Sequence, residues 1–448
     1  MSGATDLNVD EFIGSQPLRW LHVLIVALLI ATMVIDGYDI FMVGFILPAL
    51  AHGLKVHPAA LTQVLVIQQL ALLIGTMVVG PVIDRFGRRR VLLIAMSVFA
   101  VLTIATSQIR TLVQLDAMRF AAAFFFSAVI PATLTLAAEF APRRYRAAAV
   151  SVVFCGYTGG NLIGASVQAW ILPLGWQAAF WVGGLLPLVL LVGLWRWLPE
   201  SVQYRALRNP ADPSIGETLC RLDPSQAFAA GQRYIVRQRE RQARLSLGAL
   251  FRDGRAATTL LLWLAYLATG IFTYINNSWT TTLLHVARQM PMSQIAGLMA
   301  MSAVAGIVGT ASSGFVMDRF GAARVLPAYM AGAAAAIAVI ATMDLDSVWT
   351  PLAFAALGFL YNSGWGALNA LCSIMYPPEM RATGVAWSIG AGKVGGMIGP
   401  VIGGVLIAAQ WDLTPILLIA AVPEFVAAAA VLVLFMLRRT QPVPAPAV

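Results

Sequence analysis

The chain has 448 residues, of which 59% are hydrophobic and only 11% charged, and its mean hydropathy is +0.80. Soluble domains carry roughly 25% charged residues, so this composition excludes a soluble globular protein. The net charge of +9 would suit nucleic acid if it gathered on one face, but it does not.

Apolar blocks follow one another at residues 20–50, 61–83, 91–108, 112–139, 147–171 and 177–198. A polar stretch, 199–256, intervenes, and further blocks lie at 257–284, 293–316, 324–343, 348–375, 382–408 and 412–437. At about 20 apolar residues per crossing, each block is long enough to span a bilayer as a helix. None shows the alternation of an outer-membrane strand. The predicted fold class is an all-α polytopic membrane protein with twelve transmembrane helices. Among the 29 Lys and Arg, Lys55, Arg110 and Arg288 alone fall in odd-numbered loops, and Arg119 and Lys393 lie inside helices. The rest sit at the termini or in even-numbered loops, which the positive-inside rule makes cytoplasmic. The basic charge is therefore a topology signal, with both termini inside and no nucleic-acid partner. The polar start of the chain, with Asp6, Asp10 and Glu11, is wrong for a secretory signal, and no cleavage is expected. Cys155, Cys220 and Cys372 show no paired or ligand spacing, so no disulfide, metal or cofactor is expected.

An internal repeat organises the blocks. Gly80-Pro81-Val82-Ile83-Asp84-Arg85-Phe86-Gly87 recurs as Gly314-Phe315-Val316-Met317-Asp318-Arg319-Phe320-Gly321. One residue out of that step, Arg146 matches Arg381, Gly160 matches Gly395 and Gly164 matches Gly399. Repeated halves are how many secondary transporters are built. The expected organisation is a cytoplasmic tail at 1–19, a six-helix half at 20–198, a cytoplasmic linker at 199–256, a second half at 257–437 and a tail at 438–448.

The Gly80–Arg89 run, its copy at 314–321 and Pro199-Glu200-Ser201 resemble the major facilitator superfamily. Asp36-Gly37-Tyr38-Asp39, followed by Gly44-Phe45-Ile46-Leu47-Pro48-Ala49-Leu50, is similar to the first helix of the aromatic acid:proton symporter family. That family includes 4-hydroxybenzoate, protocatechuate and benzoate permeases. Arg119-Phe120 and the glycine-rich helix at 390–404 also fit, and the resemblance covers essentially the whole chain. It implies two pseudo-symmetric halves in a bacterial inner membrane. It also implies alternating-access import of a monocyclic aromatic carboxylate with protons, by a transporter and not an enzyme. Its partners would be a small organic acid, protons and the bilayer, and it would act as a monomer.

Charges at membrane depth cost about 2.5–3.5 kcal/mol each on insertion scales and are functional candidates by default. Asp36 and Asp39 are three residues apart, so they share a helix face, near the middle of the first block. Two carboxylates so close repel when both are ionised, which suits a proton carrier; pairing with a cation between helices is the plainer alternative. The resemblance implies that both are needed for transport. Lys393 lies near the midplane among Gly390, Gly392, Gly395 and Gly396, where an anionic substrate needs a cation; a structural pair with Asp36 or Asp39 is the plainer alternative. The family pattern has arginine at this place, and lysine is a compact point charge without the bidentate fork. Arg119 matches the superfamily's fourth-helix arginine, tied there to proton transfer; a structural role is equally open. Glu424 reads as a further proton site or, more simply, as a neutral group hydrogen-bonded between helices.

Aromatic faces suit a flat ring and amides suit a phenolic hydroxyl. Tyr38, Asn276, Asn277, Trp279, Tyr361, Asn362 and Trp365 are the candidate substrate contacts beside Lys393. Asp84, Arg85, Arg88, Glu139, Arg143, Asp318, Arg319 and Arg381 gather at cytoplasmic helix ends. There, pairs that exist only when that side is closed would bias a two-state rocking motion; a simple topology anchor is the alternative. A non-aromatic acid, a sugar, drug:proton antiport and a non-transporting sensor are the alternatives.

Overall fold

The computed structural model describes residues 6–226, 228, 232–236, 247–252, 254–376 and 380–440. Each apolar block folds as helix within a few residues of its expected ends. A short helix, α1 (Val9–Ser15), comes first. The first half continues with α2 (Trp20–Leu54), α3 (Thr62–Phe86), α4 (Arg88–Thr106), α5 (Leu112–Phe126), α6 (Val129–Phe140), α7 (Arg146–Ile171) and α8 (Trp176–Trp197). The linker adds α9 (Val202–Arg208) and α10 (Pro213–Leu222). The second half is α11 (Ala256–Arg288), α12 (Met292–Phe320), α13 (Ala322–Thr342), α14 (Thr350–Met375), α15 (Arg381–Ala408) and α16 (Leu413–Thr440).

One expectation is corrected. The block 112–139 is not one helix: it breaks between α5 and α6 at Ser127 and Ala128. Pro131 has no N–H for the Ser127 carbonyl, and its ring crowds that oxygen. Ser127 and Ala128 donate instead to Ala123 and Phe125. Among the described residues, 11 segments are long and apolar enough to cross a membrane, where twelve were expected. The remaining helix, α14, has 26 residues, but Tyr361, Asn362, Ser363, Gly364, Trp365 and Gly366 dilute its centre.

The chain divides into two compact units. One holds Met1–Met42, Leu70–Gly164 and Trp170–Arg241; the other holds Val43–Gln69, Ala165–Ala169 and Gln242–Val448. In the first unit a Cβ on Gly160 of α7 would overlap the Val34 carbonyl of α2. In the second, a Cβ on Gly395 of α15 would overlap the Leu267 carbonyl of α11. The two repeat-matched glycines thus do one job, letting two helix backbones meet where lipid supplies no hydrophobic drive.

The polar start of the chain is folded as well. In the first unit β1 (Leu7–Asn8) pairs in parallel with β2 (Tyr234–Ile235). Asn8 caps α1 by accepting from the Asp10 and Glu11 amides. The amphipathic α10 buries Ile215, Leu219 and Leu222 in the same core as Val9 and Ile13.

Candidate functional site

The best-defined polar feature of the first unit is a buried ion pair. Arg119 of α5 donates from Nη1 to Asp39 Oδ1 at 2.9 Å and from Nη2 to Oδ2 at 2.8 Å. Both side chains are enclosed, with Arg119 at 0% exposure and Asp39 at 2%. The guanidinium also lies 5.9 Å from the Phe180 ring centroid. A fork-to-fork geometry satisfies both carboxylate oxygens at once. Removing one partner of such a pair strands the other and costs about 3–5 kcal/mol. Asp36, one turn earlier on α2, is likewise buried. Gly37 between them is required: a Cβ there would overlap the Tyr157 carbonyl of α7. The sequence thus brings two acids onto one helix face, and the fold adds the arginine.

Tyr38 turns elsewhere. It is buried, and its hydroxyl donates to the Ala179 carbonyl of α8 at 3.2 Å. Trp279 behaves likewise in the second unit: it is buried, and its Nε1 donates to the Pro400 carbonyl of α15 at 3.0 Å. Both polar atoms bond a neighbouring helix.

The other substrate candidates also lie in the second unit, on α11, α14 and α15. Lys393 is half-buried. A Cβ on Gly392 beside it would touch Tyr266 and Trp365, and these two rings pack edge to face with centroids 5.9 Å apart. Tyr361 and Thr273 share a hydrogen bond of 2.8 Å, and the Tyr361 ring lies 5.4 Å from Phe272. Asn276 accepts from Thr280 at 3.0 Å. The Asn277 carbonyl lies where Gly44 passes, so the family-like glycine of α2 seats this crossing. Asn362 donates to the Gly358 carbonyl at 2.8 Å and packs over Gly306. The structure gathers Tyr361, Thr273 and Phe272 into one cluster and packs Tyr266 and Trp365 against α15 at Gly392, the residue before Lys393.

Where α3, α4 and α6 end or begin in the first half, Arg88 Nε lies 3.6 Å from Glu139 Oε1 and Arg88 Nη2 lies 3.9 Å from the exposed Asp84. The Arg88 guanidinium also stands 5.7 Å from the Tyr204 ring centroid. Arg85 contributes its carbonyl, which accepts from the Tyr204 hydroxyl at 3.0 Å and from Arg208 at 3.3 Å. Arg143 is exposed, with its Cβ beside Gly14 of α1. Asp318 and Arg319 are exposed at the end of α12. Arg381 opens α15, and its side chain lies outside the described residues.

Sequence reasoning missed what secures this region. Glu200 accepts from the backbone amides of Arg89 at 2.8 Å and Arg90 at 3.2 Å, so a carboxylate from beyond α8 caps the positive N-terminus of α4. The Pro199-Glu200-Ser201 run was the available signal. Arg19 pairs with Asp223 at 2.9 Å, and Gln203 donates to Asp10. Hydrogen bonding from Ser225, by its hydroxyl above all, together with the Arg19 charge, holds the Asp223 carboxyl below the usual carboxylate range.

A helical bundle built twice, with an ion pair buried in one half, is the architecture of a polytopic membrane transporter. The family model described as Major Facilitator Superfamily matches residues 29–391 and 314–448, and the chain belongs to that superfamily. It is 33% identical to a gallate transporter of Pseudomonas putida, over 95% of this chain and 94% of that one. It is 32% identical to a 4-hydroxybenzoate transporter of Pseudomonas aeruginosa, over 95% of each. The xylose transporter XylE from E. coli, in an inward open conformation, superposes with a TM-score of 0.70 at 14% identity, over 95% of this chain and 98% of that one. That likeness is one of fold.

Proposed function

We propose that this protein imports a monocyclic aromatic carboxylate, of the 4-hydroxybenzoate or gallate kind, together with one or more protons. The observation that carries the substrate class is similarity along 95% of the chain to transporters of gallate and 4-hydroxybenzoate. The setting is a bacterial inner membrane with both termini cytoplasmic, supported by the basic loops, and the working unit is a monomer.

The coupling element is Asp36, Asp39 and Arg119. With the Asp39 carboxylate ionised, the fork to Arg119 is complete. A proton delivered to Asp36 or Asp39 removes one negative charge from the cluster and loosens the fork. The cost of closing buried charges falls, which biases the alternating-access equilibrium. Lys393 receives the substrate carboxylate, and the rings and amides of α11 and α14 (Asn276, Asn277, Tyr361, Asn362 and Trp365) receive the ring. Tyr38 and Trp279 serve as helix locks, because their polar atoms are bonded to backbone. Arg88, Glu139, Asp84 and Arg85, with Arg143, Asp318, Arg319 and Arg381, form the cytoplasmic gate.

The test is uptake of labelled 4-hydroxybenzoate into proteoliposomes, with and without an inward proton gradient, for the native chain and Asp39→Asn. Gradient-driven accumulation that the variant loses is the expected result. Equilibration indifferent to the gradient would overturn coupling. No uptake, with competition by shikimate or quinate, would move the substrate to a non-aromatic acid.

A further inference from the structure

The hydrogen-bond directions around Tyr361 can be worked out from proton counting. Thr273 Oγ1 donates to the Thr269 carbonyl one turn earlier on α11, at 2.5 Å. A hydroxyl has one proton, so in the 2.8 Å bond between Thr273 and Tyr361 the tyrosine must be the donor. Its own proton is thereby committed, and the Tyr361 oxygen is left only to accept. Glu424 of α16, buried at 1% exposure, stands behind this corner. It is close enough to act electrostatically on Tyr361. A corner that offers an acceptor and is backed by an acid group has nothing to draw a carboxylate. It suits the opposite end of the molecule, a neutral O–H.

We infer that Thr273 fixes Tyr361 as an acceptor for a ring hydroxyl of the substrate, so that this corner selects hydroxylated aromatic acids over unsubstituted ones. Tyr361 is the contacting residue and Thr273 a positioning residue that sets its polarity. The inference rests on the reading that the chain transports aromatic acids, and adds a preference among them.

The experiment compares KM for 4-hydroxybenzoate and for benzoate in proteoliposomes, using the native chain, Tyr361→Phe, Thr273→Val and Thr273→Ser. Size-exclusion profiles in detergent confirm that each variant is folded. The native chain should show a KM for benzoate about three- to tenfold above that for 4-hydroxybenzoate, the worth of one neutral hydrogen bond. Tyr361→Phe should bring the ratio near one by raising KM for 4-hydroxybenzoate alone, and Thr273→Val, which unfixes the acceptor without removing it, should lower the ratio part of the way. Thr273→Ser, which keeps the hydroxyl, should restore it. A purely structural role would shift both acids together. Equal KM values in the native chain, or a ratio untouched in Tyr361→Phe and Thr273→Val, would overturn the inference while leaving aromatic transport standing. A native chain that takes up neither acid would overturn both.

Discussion

The two copies of the Gly-x-x-x-Asp-Arg-Phe-Gly segment share sequence and backbone but differ in what holds them. Each ends α3 or α12 with a glycine of positive φ, Gly87 at 96° and Gly321 at 84°. That conformation suits glycine because it has no Cβ. Around Gly87 the space is filled: a Cβ would lie 2.7 Å from Glu200 Oε2 and 3.0 Å from the Tyr204 ring. Around Gly321 nothing lies within 4 Å among the described residues. The side chains that follow differ in step. Where the first copy continues with Arg88 and Arg89, the second has Ala322 and Ala323. Where the first half carries Glu139 at the end of its fourth span, the repeat-matched position is the exposed Ile374. The cation and the acid are missing together, which is what a pair requires, since either alone would be left uncompensated. The repeated motif therefore dictates a turn, and the fastening of that turn is local.

Four experiments test this contrast. The largest effect is expected from Arg88→Ala, which strands Glu139 at 7% side-chain exposure. The loss should be about 3 kcal/mol, the low end for a broken buried pair, because Arg88 keeps 13% exposure. Adding Glu139→Ile should recover part of it and make the first copy resemble the second; thermal unfolding in detergent reads both. Next comes alanine at the two turn glycines. Gly87→Ala should cost about 2 kcal/mol and Gly321→Ala about 1 kcal/mol, since both bear the left-handed strain but the first also displaces Glu200. Equal shifts in apparent Tm would remove the distinction. Glu200→Gln should cost about 1 kcal/mol by weakening the cap of α4, and faster amide exchange at Arg89 and Arg90 would report it. The smallest effect concerns pH. Asp223 has a folded-state pKa below its unfolded one, so its contribution is complete above the unfolded value and is lost as pH falls through the folded value. Protease cleavage near residues 213–226 should rise on acidification below about pH 4, and Asp223→Asn should abolish that dependence.

Much of the molecule was legible before any coordinates. Helix ends came within a few residues because the apolar runs stop where charged and turn residues begin. The Gly160/Gly395 match anticipated a shared packing role. Asp36 and Asp39 could be set on one face by spacing alone. Other features were hidden. Tyr38 and Trp279 read as cavity residues because spacing along one helix does not say which neighbouring helix each faces, and only the neighbouring Ala179 and Pro400 carbonyls reveal their direction. Glu200 was noticed as part of a motif, yet its partners lie more than a hundred residues away in the chain.

The sequence by itself determined that this is a twice-repeated helical membrane protein with few, costly charges, because burying backbone and charge in lipid tolerates almost no other arrangement. The tertiary structure decided which charges meet and which way each hydroxyl points. Asp39 found Arg119, Glu139 found Arg88, and Thr273 turned Tyr361 into an acceptor through distances that chain order does not encode. Pairing energies depend on a few ångströms of approach between different helices, and helix packing alone sets that approach.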